Sequence, residues 1–156
     1  MMRNLLTGVA AGAAGTTALN AVTFLDMIVN ARPASTTPED TVREMQNRTG
    51  ASLSSDGPES DAAANRRSAV GSMLGITAGL GTGALYGAVR PRLGNLPLVV
   101  LGAGAGLVAN VGTTGPMAVF GITDPRTWPR SSWVSDLLPH LTYGLATAAV
   151  FELMRR

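Results

Sequence analysis

The stretch Asn4–Leu25, NLLTGVAAGAAGTTALNAVTFL, contains no Asp, Glu, Lys or Arg, and it decides how the rest of the chain is read. A backbone in hydrocarbon must satisfy its own hydrogen bonds and can hardly hold an ionised side chain. An uncharged run of about 20 residues, rising 1.5 Å per residue, is therefore the mark of a helix that crosses a bilayer. Two further runs, Ala69–Val89 and Leu93–Thr123, are also uncharged, and Leu137–Phe151 holds only His140. The last run reaches spanning length if Asp136 and Glu152 sit near the headgroups. Four transmembrane helices are expected over about 5–29, 68–89, 97–120 and 135–154, with a polar loop over 30–67. The expected fold class is all-α: a four-helix transmembrane bundle with a short extramembrane helix in its first loop.

Composition agrees with this outline. Of 156 residues, 46% are hydrophobic and only 14% charged, well short of the quarter usual in soluble domains. The chain has no Cys, which excludes disulfide scaffolds, zinc ribbons and thiol chemistry. All 12 basic residues are Arg, and they exceed the acids by only two without forming a dense basic run. Nucleic acid is therefore not an expected partner, whereas a lipid bilayer is. The mean hydropathy of +0.22 averages the spans with the polar insert. The first apolar run continues to Val29, past the 7–15 residues of a secretory signal core, so this helix is expected to be retained.

Charge placement bears on orientation. The side that holds the N-terminus, Arg90, Arg92, Arg155 and Arg156 has few acids, while the other mixes Arg with Glu39, Asp40, Glu44 and Asp56. Both termini are expected in the cytoplasm of a plasma-membrane protein. Trp128 and Trp133, beside Pro125 and Pro129, suit interfacial anchors. In the polar insert, Thr37 as N-cap, Pro38, Glu39 and Asp40 signal a helix start and Gly50 a stop. Val42 and Met45 share one face of that helix, which can lie on the membrane or dock on the bundle. From Ala51 to Asn65 the composition suggests a loop.

The most regular pattern is Gly71, Gly75, Gly79, Gly83 and Gly87, a glycine zipper at intervals of four. Absent side chains open a groove in which a second backbone approaches closely, which drives helix association where lipid offers no hydrophobic gain. Looser rows occur at Gly8, Gly12, Thr16 and Asn20, at Gly102, Gly106, Asn110 and Thr114, and at His140, Gly144 and Ala148. Leu98–Ala109 imitates the strand and glycine turn of a dinucleotide fold, but no βαβ alternation follows it.

Polar residues at membrane depth are the candidate sites. Asp26 falls on the helix face of Gly8, Gly12 and Gly15, where it can bind a cation, carry a proton, or pair with Arg32 near the headgroups. Asn20 and Asn110 lie deeper and suit interhelical hydrogen bonds that fix helix register. Asp136 and His140 are four residues apart, so both project from one face of the fourth helix. One His without Cys makes a thin metal site, and no G-x-S-x-G elbow or P-loop is present, so neither metal, cofactor nor enzymatic activity is expected.

Three segments carry a resemblance: Arg3–Gly12 (RNLLTGVAAG), Arg32–Glu39 (RPASTTPE) and Ser135–Gly144 (SDLLPHLTYG). They resemble a family of small actinobacterial multi-pass membrane proteins, and the layout is more distantly similar to YagU-type inner-membrane proteins. The all-Arg usage fits a GC-rich genome. The resemblance implies no activity or substrate, and it marks Asp26, Asp136 and His140 as the positions to test first. The expected function is that of a structural or accessory membrane component, in contact with copies of itself or a larger complex. The alternative is a small proton, cation or solute transporter or channel that uses the intramembrane polar residues.

Overall fold

The computed structural model describes residues 1–155; Arg156, grouped above with the arginines of the terminal side, lies outside them. The chain forms five α-helices: α1 (Met2–Asn30), α2 (Thr37–Thr49), α3 (Asp61–Val89), α4 (Leu98–Val119) and α5 (Arg130–Met154). Short 3-10 turns occupy Arg90–Arg92 and Pro125–Thr127, and there is no strand among the described residues. Four of the helices, all but α2, are long and apolar enough to cross a membrane, the architecture of a multi-pass membrane protein. Large apolar side chains such as Phe24, Ile28, Met73, Val99 and Val111 face outward, as lipid-facing residues do.

Three helices begin earlier than the charge gaps suggest, α1 by three residues at Met2 and α3 and α5 by more. Ser60 is extended (φ −71°, ψ 152°), and its side chain accepts a hydrogen bond from the Ala63 N–H at 3.2 Å, while Asp61 lies at the positive end of the helix dipole. Residues 61–65 are therefore the first turns of α3 rather than loop. With 29 residues, α3 is about 44 Å long, so its Arg66 and Arg67 end extends past roughly 30 Å of hydrocarbon. In α5, Pro129 is extended and Arg130 begins the helix, five residues before the expected start. The cap of α2 is shifted by one: Thr36 precedes the helix, Thr37 is its first residue, and Gly50 ends it at φ 71°. Val42 is buried and α2 packs against α3, so this helix docks on the bundle, with Met45 left half exposed.

Helices pack in the spatial order α3, α1, α5, α4, with only sparse contact between α3 and α4 to close the ring. Neighbours run antiparallel, since Gly8 faces Gly83 and Gly87 while Gly12 faces Gly79 and Gly83. Across α4 and α5, Gly102 faces Leu145 and Gly106 faces Leu141. One end of the bundle therefore gathers the start of α1, the turn from α3 to α4 and the end of α5. The other gathers α2 and the loop before α5, where Trp128 and Trp133 meet edge to face at 5.4 Å. The buried core lies toward the first end and includes Ala11, Tyr86, Leu101, Ala105, Ala148 and Phe151. Tyr86 and Phe151 are perpendicular, with ring centres 5.3 Å apart.

Candidate functional site

The largest polar cluster at depth lies on the seam between α4 and α5. A Cβ at Gly106 would meet the His140 carbonyl oxygen at 2.5 Å, and one at Gly144 would meet the backbone of Gly102 and Gly106. This close approach brings Asn110 and Thr113 of α4 against Asp136 and His140 of α5. Asp136 and His140 lie six and ten residues into α5, about 9 and 15 Å along its axis. The Asn110 amide, 8% exposed, donates to Asp136 Oδ2 at 2.5 Å. His140 Nδ1 lies 2.7 Å from the Asp136 carbonyl oxygen and 3.7 Å from its Oδ1.

Two contacts compete for Nδ1: the Asp136 carbonyl at 2.7 Å can only accept and the Asn110 amide nitrogen at 3.3 Å can only donate, and the shorter one assigns the ring proton to Nδ1. The other nitrogen, Nε2, lies 3.4 Å from Thr113 Oγ1, whose own proton is directed at the carbonyls of Ala109 (3.0 Å) and Asn110 (3.1 Å). The hydroxyl oxygen is thus an acceptor held ready for a second N–H on Nε2. The cluster cross-links α4 and α5 through side chains as well as backbone. Pro139, one residue before His140, has no N–H, so the Ser135 carbonyl loses its usual partner beside the cluster.

The other sequence candidates lie elsewhere. Asp26 sits in the last turns of α1. Ala31 closes this helix in the left-handed region (φ 49°), and the chain folds back so that the Arg32 guanidinium pairs with Asp26 Oδ2. Asn30 Nδ2 donates to Oδ1 at 2.6 Å, so the carboxylate is fully engaged at the bundle's end. Asn20 is exposed on the outer face of α1 and makes no side-chain hydrogen bond among the described residues. It does not meet Asn110, because α1 and α4 are not neighbours.

The glycine row divides three ways. Gly79, Gly83 and Gly87 face α1, Gly71 faces Pro38 of α2, and a Cβ on Gly75 would meet nothing within 4 Å. Across the bundle, the Tyr143 hydroxyl donates to the Gly79 carbonyl at 2.6 Å and ties α5 to α3.

Sequence reasoning left two buried arginines unpartnered. Arg90, 5% exposed, donates to Glu152 at 2.6 Å and to the Gly94 carbonyl at 2.9 Å, joining the end of α3 to the end of α5. Arg67, 2% exposed, reaches Glu39 of α2 at 3.3 Å and the Pro58 carbonyl at 2.6 Å. The first pair had a legible signal: Arg90 and Glu152 each bound an uncharged run and fall at the same end of the bundle. Among the described residues, no three His, Asp or Glu side chains gather as metal ligands would. No family model, curated protein or solved structure matches the chain.

Proposed function

We propose that this protein is a non-enzymatic structural or accessory component of the plasma membrane, with both termini in the cytoplasm. It works through helix contacts with copies of itself or with a larger complex. What supports the reading is the dispersal of its polar groups. Asp26 is closed by Arg32 and reaches α5 at Ser135, Arg90 is closed by Glu152, and the Asn110 cluster by Asp136, so each carboxylate is held by its own partner rather than lining one passage. Asn20 is left over, an exposed amide partway along a spanning helix. A second helix that satisfied it would gain about 0.6–2 kcal/mol. In the same reading the glycines of α3 that face α1 act as a packing zipper, and the chain is a relative of the small actinobacterial membrane proteins its segments resemble.

Because the chain has no Cys, an Asn20→Cys variant places one thiol on that face. Oxidation in native membranes should give a disulfide-linked product, and proteoliposomes of the parent should pass protons and cations at background rate. Parental flux above background that Asp136→Asn abolishes would overturn the proposal. That outcome belongs to a second reading, a small proton or cation transporter, which is favoured by the carboxylate and imidazole 3.7 Å apart at membrane depth.

A further inference from the structure

Where α3 and α4 part, an apolar groove of about 400 Å³ opens to the outside of the bundle. This volume falls within the roughly 300–1,000 Å³ of ligand sites. Leu85 and Val89 of α3 form one wall, Val100, Gly104 and Val108 of α4 form the other, and Leu93 lies at one end. A Cβ on Gly104 would meet nothing within 4 Å, so the missing side chain widens the groove without serving helix contact. From Val100 to Val108 the helix rises about 12 Å, most of the roughly 15 Å that one leaflet contributes to the hydrocarbon core.

The lining itself carries no charge, but the turn at one end of the groove does. The turn Arg90–Arg92 connects Val89 to Leu93, both lining residues. Arg90 is occupied by Glu152 and the Gly94 carbonyl. Arg92 is exposed, donates to the Ala88 carbonyl at 2.8 Å, and has no carboxylate within ion-pair reach among the described residues. Glu152, the acid at this end, already faces Arg90 and Arg155. An arginine without a carboxylate partner therefore stands one residue from the groove's Leu93 end, at the headgroup level of the leaflet whose depth the groove spans.

We infer that the α3/α4 groove binds an anionic phospholipid, with one acyl chain lying along Val100–Val108 and its phosphate at Arg92. The apolar walls take the chain, and the guanidinium, which has no carboxylate partner, selects a headgroup of net negative charge. The inference rests on the membrane-spanning architecture alone, so the absence of an Asn20 cross-link, or the presence of flux, leaves it untouched.

The test is native mass spectrometry of the full chain, delipidated in detergent and then exposed to vesicles of phosphatidylglycerol or phosphatidylcholine. The parent should retain one phosphatidylglycerol per chain, with about a fivefold preference over phosphatidylcholine, whose choline cation cancels its phosphate, as one arginine near a lipid of net negative charge provides. Gly104→Leu should fill the groove and lose the retained lipid, while Arg92→Gln should keep a lipid and lose the preference. Val108→Phe, which narrows the groove from another position, supplies the same reading should Gly104→Leu fail to fold by circular dichroism. Equal retention by the groove-filling variants and the parent would overturn the inference, as would a parent indifferent to headgroup. So would a lipid-free dimer that the groove-filling variants convert to monomer, because the occupant would then be a second copy.

Discussion

The two sides of α3 differ more than their composition suggests. Toward α1, glycine meets glycine: a Cβ on Gly83 would run into the Gly8 carbonyl and the Gly12 backbone, and one on Gly87 into the Asn4 carbonyl. Toward α4, Leu85 and Val89 hold the helices apart, and Gly104 opposite them fills nothing. Both sides are apolar, yet one is a seam and the other a groove. Close helix approach in a membrane requires small residues on both partners at matching heights; glycine on one helix alone leaves a hollow.

The strongest test of this contrast is Gly83→Leu. It forces a side chain into two backbones and should reduce stability by about 3 kcal/mol, the upper end of overpacking effects, read as an earlier midpoint when sodium dodecyl sulfate is titrated into dodecyl maltoside micelles. A midpoint equal to the parent's would erase the distinction between seam and groove. Glu152→Ala comes next, because it leaves the buried Arg90 without its carboxylate while α3 keeps its glycine seam. Breaking a fully buried pair costs about 3–5 kcal/mol, and the partial exposure of Glu152 reduces the expected loss to about 2 kcal/mol in the same titration. Asn110→Ala probes the second seam through its polar bond and should cost about 1 kcal/mol, with the His140 ring resonances shifting in NMR spectra as Asp136 loses its donor. Gly75→Ala, on open helix surface, should stay within about 0.5 kcal/mol of the parent. A large loss there would mean that Gly75 has a packing partner after all.

Four spans were legible because charge is excluded from hydrocarbon over lengths that only a crossing helix needs. The start of α3 was harder to read, since Ala62–Arg67 looks polar enough for a loop and only the Ser60–Asp61 cap announces a helix. The rows of four were the least reliable guide. At 3.6 residues per turn, each four-residue step rotates about 40°, so Gly71 and Gly87 stand about 160° apart. One neighbour can cover Gly79 to Gly87, whereas Gly71 points at α2 and Gly75 falls between them. Asn20 is three such steps from Gly8, about 120° round α1, and so faces outward. The Asp136 and His140 pair could be read from spacing within one helix. Their bond to Asn110 could not, because it depends on which face of α4 the glycines at 102 and 106 turn toward α5.

The spatial order of the helices bears on how the protein is made. The chain divides into two hairpins, α1 with α3 and α4 with α5, each closed by its own glycine contacts. The first can assemble in the bilayer while the second is still on the ribosome. The flank of α1 that receives Tyr143 and Thr147, at Gly15, stays open until α5 is released. Although α1 is synthesised before α3, α4 and α5, it is thus enclosed only after all of them, and through that interval its surface is available to insertion factors or to a neighbouring nascent chain.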